Sequence, residues 1–148
     1  MFALVVFSCN KTEKKTEVTK TNFSKVDTTK ISISQLETFD FPDEVQGCSC
    51  YFAKNKEDFM NQKYIYIDDY GNNAYVKMGG KLLKIAMEEG DFDPDHFDKV
   101  IKSDDYTIKI KGEKLPEMGE TLMYVGKIIV EKKSGEKITS TIYGECGC

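Results

Sequence analysis

Ala74-Tyr75-Val76-Lys77-Met78-Gly79-Gly80-Lys81-Leu82-Leu83-Lys84-Ile85 decides the fold. Gly79 and Gly80 both accept positive φ, which a two-residue hairpin turn of the primed type requires. Such a turn fixes the register: Met78 faces Lys81, Val76 faces Leu83 and Ala74 faces Ile85. Strand side chains alternate between faces, so these six share one, apolar except for Lys81 at the turn. Tyr75, Lys77, Leu82 and Lys84 take the other face. One face of this hairpin therefore belongs to a core.

The same signals extend in both directions. Lys63 to Asp68 places β-branched and aromatic residues in period two, and Asp69-Tyr70-Gly71-Asn72-Asn73 supplies a turn. Strand patterns resume at Tyr106–Lys111 and Thr121–Val130, then turn near Lys133–Gly135 into Lys137–Tyr143. About seven nearly sequential strands predict a mainly β fold, an antiparallel meander closing into a small barrel or sandwich. A barrel is favoured, because it brings the first and last strands side by side. One helix interrupts the expectation. Asp93 as N-cap, Pro94 at the first helical position and Asp95 in the first turn make a good start. Phe97, Val100 and Ile101 follow at three and four spacing, which predicts a short helix over about 94–102.

The 148 residues suffice for one domain with a single core. All 21 basic residues are lysines, so the planar bidentate grip of arginine on phosphate or base edges is absent. Between Asn10 and Ile33 six Lys stand against three acids, leaving fifteen Lys against twenty-two acids from Ser34 onward. A basic, Thr-rich tether thus leads into an acidic domain, which argues against a nucleic-acid partner. The tether buries too little to offset its ordering entropy and reads as flexible.

Residues 1–8 are apolar up to Ser8 and far short of the roughly twenty that span a bilayer, like the end of a secretory signal. Val6-Phe7-Ser8-Cys9 resembles the lipobox of bacterial lipoproteins. The resemblance implies lipidation of Cys9 and anchoring in the cell envelope, with the domain on the periplasmic or extracellular side. No Lys or Arg precedes the apolar run, so the charged start of such a signal would lie upstream of Met1. The alternative is a buried N-terminal strand ending in an ordinary cysteine. The organisation expected is signal end over 1–8, lipidated tether over 9–33 and one β-rich domain over 34–148.

The remaining cysteines form two Cys-x-Cys pairs, Cys48 with Cys50 and Cys146 with Cys148. On a strand, each pair shares a face. In an oxidising compartment an even set of four reads as two disulfides. Antiparallel neighbours favour Cys48 with Cys148 and Cys50 with Cys146, whereas bonds within each pair need strained rings. A second reading has the four thiolates hold Zn²⁺ or Cu(I) in a tetrahedral site. A third is a thiol–disulfide exchange centre, which needs a helix N-terminus or a cation to lower a thiol pKa.

Other candidates have plainer explanations. Asp91-x-Asp93-x-Asp95 opens like a calcium loop, but His96 stands where the glycine belongs, and helix capping accounts for the acids. His96, the only histidine, lies between Asp95 and Asp98 and suits a surface better than a general base. Asp68-Asp69 and Glu88-Glu89 read as solvated turn tips. No P-loop, dinucleotide fingerprint or zincin helix is present. The expectation is a non-catalytic binding or structural lipoprotein, without a cofactor, that contacts an envelope protein or glycan. The lipoprotein inhibitors of lysozyme are similar in architecture alone, and the Ser-Gly loop they insert is not evident here.

Overall fold

A computed structural model describes residues 35–87, 96–116 and 121–148, with the side chain of His96 outside the description. These residues belong to the unit Ile31–Cys148. They form β1 (Ser49–Ala53), α1 (Lys56–Met60), β2 (Tyr64–Asp68), β3 (Asn73–Met78) and β4 (Lys81–Ala86). Then follow β5 (His96–Lys102), β6 (Tyr106–Lys114), β7 (Leu122–Lys132) and β8 (Lys137–Gly147). One antiparallel sheet holds all eight strands in the order β4-β3-β2-β1-β8-β7-β6-β5, curled into a half-barrel. Every sequential pair is adjacent except β4 and β5, which form the two edges. The first strand lies beside the last.

The hairpin has the register its sequence dictates. Met78 pairs with Lys81, Val76 with Leu83 and Ala74 with Ile85, around glycines at φ 57° and 73°. The expected helix over 94–102 is corrected: His96–Lys102 is a strand, paired residue for residue with β6. Phe97, Val100 and Ile101 fit a helical stripe, but Phe97 and Ile101 also share one face of a strand, and both are buried there. The capping residues Asp93, Pro94 and Asp95 lie outside the described residues. The described helix, α1, is a different one. Asn55 caps it by accepting from the Asp58 N–H at 2.9 Å, and Glu57 and Asp58 occupy its first turn.

Close backbone approach explains the curl. A Cβ on Gly126 would lie 2.7 Å from the Gly112 Cα and nearer still to the Lys111 carbonyl oxygen. A Cβ on Gly144 would lie 2.8 Å from the Phe52 Cα. Such glycines let neighbouring strands coil more tightly than side chains allow. Aromatic rings fill the space they leave. Phe97 pairs with Gly112, while Phe52 and Tyr124 flank Gly144. Their ring centroids stand 5.0 Å (Phe52–Phe97) and 5.7 Å (Phe97–Tyr124) apart.

Two apolar clusters result. The inner one gathers Phe52, Val76, Met78, Ile108, Ile128 and their neighbours inside the curl. The outer one sits on the far side of β1–β3, where Phe39 and Val45 cover Ile67 and Tyr75. The stretch ahead of β1 is held there by the Phe39 N–H to the Tyr64 carbonyl and the Glu37 N–H to the Lys77 carbonyl, both 2.9 Å. This cover explains why β2 is buried on both faces.

Candidate functional site

Where β1 meets β8, Cys50 stands directly opposite Cys146. Two positions along the same ladder, Cys48 stands by Cys148. The sulfurs of both pairs lie at disulfide distance, Cys48 with Cys148 and Cys50 with Cys146. Parity puts both crosslinks on the inner face with Phe52. Cys50 and Cys146 are wholly buried in the inner cluster. Cys48 is half-buried and Cys148 exposed, so the second pair sits at the rim. The four sulfurs therefore form two separate pairs at successive positions of one ladder. Cys9 lies outside the described residues, as does most of the acidic stretch from Asp91.

A second cluster lies inside the curl. Asp68 is fully buried, a correction to its reading as a solvated turn tip. Its carboxylate accepts from the Tyr66 hydroxyl at 2.7 Å and from the Tyr70 N–H at 3.1 Å, and pairs with the Lys99 ammonium at 2.9 Å. Lys99 belongs to β5, on the opposite half of the sheet from β2. Its Nζ also lies 4.9 Å from the centre of the Phe97 ring and 6.0 Å from that of Tyr70, within cation–π range. Burial, reinforced by the Asp68 charge, pushes the Tyr66 hydroxyl well above the usual tyrosine range. Tyr70 holds a left-handed backbone at φ 63°, uncommon for a bulky side chain, and its own N–H bond to Asp68 helps to fix it. The cluster is satisfied within itself. Among the described residues no buried side-chain polar atom lacks a partner.

Asp69, by contrast, is a turn residue as expected. Burial alone would raise its pKa, but donors from the Asn73 side chain and backbone and the Asn72 backbone together lower it. Strand parity was the missed signal at Asp68, since Tyr66 and Asp68 share a face. The partner could not be read locally, because Lys99 comes from a strand 31 residues away.

The outer face carries an aromatic group of its own. Tyr51 stacks on Phe59 of α1 with centroids 5.8 Å apart, and its hydroxyl donates to Glu145 on the adjacent strand. Burial raises the Glu145 carboxyl above its ordinary range. Nearby, an open groove of about 710 Å³ runs between Thr38–Asp40, the Asn61–Lys63 turn and the tip of the β3–β4 hairpin. Its walls mix carboxamide, carboxylate and ammonium groups with the apolar Leu82. Among the described residues, no three His, Cys, Asp or Glu side chains are grouped to hold a metal ion. Comparison with protein-family models, curated proteins and solved structures finds no match to the chain.

Proposed function

We propose that this chain is an exported bacterial lipoprotein, anchored through Cys9, whose β domain has a non-catalytic binding or structural role in the cell envelope. The observation that carries this reading is the cysteine pairing. Two crosslinks between the first and last strands persist in an oxidising compartment and not against cytosolic reductants. Export accords with the lipobox-like Val6-Phe7-Ser8-Cys9 and the basic tether behind it. The binding role draws on the open groove beside the β3–β4 hairpin, which offers an extended glycan or a protein segment both polar and apolar contacts. The exposed position of Cys148 favours thiol exchange at the rim as a second reading.

Intact-mass analysis of the exported protein, alkylated without reductant and assayed for metal, tests this. The expected result is no alkylation of Cys48, Cys50, Cys146 or Cys148 until reductant is added, no bound Zn or Cu, and acyl mass on Cys9. Four reactive thiols in the unreduced protein would overturn the crosslink, and one Zn²⁺ or Cu(I) per chain would establish the metal reading. Release of Cys9→Ser from the membrane fraction tests the anchor separately. Fast mixed-disulfide formation with a small thiol at Cys148 alone would favour exchange.

A further inference from the structure

We propose that the boundary between β4 and β5 is a seam that opens, and that the Asp68–Lys99 pair is the lock that keeps it closed. Every other neighbouring pair of strands is joined by a ladder, but among the described residues none joins β4 to β5. The two edges approach each other, and the alternation of strands around the sheet makes them antiparallel. Solvent-exposed residues mark both: Lys81, Leu82, Lys84 and Ala86 on β4, Val100 at 55 % on β5. Beneath the seam the inner faces stay buried through Ile85, Phe97 and Ile101. Among the described residues, side chains alone close the curl on this side.

Lys99 is the one charged inner-facing side chain of β5, and it reaches across the seam. Register on the inner face puts only Ala74 and Ile85 between Asp68 and the β4 edge. Ala74 is the small residue on that row, and the Lys99 ammonium meets Asp68 on β2 at 2.9 Å. The pair thereby staples edge strand β5 to the far half of the sheet where, among the described residues, no ladder does so. The lock is asymmetric. Asp68 keeps the Tyr66 and Tyr70 donors whether or not Lys99 is present, while among the described residues Lys99 without Asp68 has only aromatic rings.

Hydrogen exchange measured by mass spectrometry on the oxidised protein reads the seam directly. In Asp68→Asn, which strands the buried ammonium, amide exchange over β4 and β5 is expected to rise about a hundredfold, with β1, β7 and β8 unchanged. In Lys99→Met, which retains the apolar stem and leaves Asp68 its two other donors, the rise is expected in the same strands but smaller. If Asp68→Asn does not fold, Lys99→Met and the double variant carry the test, and both are expected to fold with faster exchange confined to β4 and β5. Exchange rising equally in all strands, or unchanged in β4 and β5 in every variant, overturns the lock.

Discussion

The two crosslinks are coupled, and the coupling has a sign that separates a latch from a metal site. Cys48–Cys148 and Cys50–Cys146 span 100 and 96 residues, so either one alone closes a loop of about a hundred residues in the unfolded chain. The chain-entropy relation gives about 4.7 kcal/mol for that closure. Once one is present, the second closes only the small ring of Cys48, Ser49, Cys50, Cys146, Gly147 and Cys148. For six residues the same relation gives about 2 kcal/mol. Removing the rim pair with Cys48→Ala and Cys148→Ala should therefore cost about 2 kcal/mol while Cys50–Cys146 is intact. In a background already carrying Cys50→Ala and Cys146→Ala, the same removal should cost about 4 to 5 kcal/mol.

Comparing the two backgrounds cancels the packing lost when the buried sulfurs go, as in a double-mutant cycle. Urea unfolding followed by far-ultraviolet circular dichroism, without reductant, gives the four free energies. Extrapolated free energies must be compared rather than midpoints, because freeing a loop expands the unfolded state and raises m. A four-thiolate metal centre would behave in the opposite way. There the first pair removed destroys the site, and the second removal costs almost nothing. Equal costs in the two backgrounds would refute the ring argument, and a smaller cost in the second would favour metal.

Gly126→Ala should destabilise by more than about 2 kcal/mol, because the new Cβ meets the backbone of Lys111 and Gly112 and nothing flexible can yield. Gly147→Ala, whose Cβ has open space, should be neutral or slightly stabilising, and urea unfolding of the two variants beside the parent checks both expectations. Gln62 follows α1 at φ 56° with its N–H bonded to the Phe59 carbonyl, so Gln62→Gly should stabilise by about 0.5–1 kcal/mol in urea titrations. Burial raises the Glu145 pKa in the fold, so its favourable contribution is complete below the unfolded carboxyl pKa and is lost as pH rises through the folded one. Glu145→Gln should accordingly gain stability relative to the parent as pH rises through that window, and a difference independent of pH would refute the assignment.

What the sequence disclosed was local or followed from strand parity. The Gly79–Gly80 turn carries its register in two residues, and the cross-strand pairing of the cysteines needed only that β1 and β8 be antiparallel neighbours. The region around His96–Lys102 misled because three apolar residues, Phe97, Val100 and Ile101, satisfy a helical stripe while two of them also satisfy a strand face. Only the partner strand β6 decides between these, and it lies outside any local window. The helix α1 is too short to show a periodicity, although Asn55 and its first-turn acids are a recognisable start. Gly112, Gly126 and Gly144 look unremarkable in sequence, because what they permit is contact between strands brought together by the fold.

The latch and the lock also divide the labour of holding one sheet. In strand order the β1–β8 junction lies at the centre, and the β4–β5 seam is as far from it as the sheet allows. The centre has a full ladder and two crosslinks, with Cys50 and Cys146 wholly buried. Among the described residues the seam has side-chain packing and one ion pair. Local opening follows the lowest density of backbone bonds and covalent ties, so it should begin at β4 and β5 and stop before β1 and β8. A crosslink placed at the seam would have frozen it, and one placed at the centre leaves it free. The cysteines thus stabilise the domain where movement would unravel it, and the Asp68–Lys99 pair holds it where movement can be reversed.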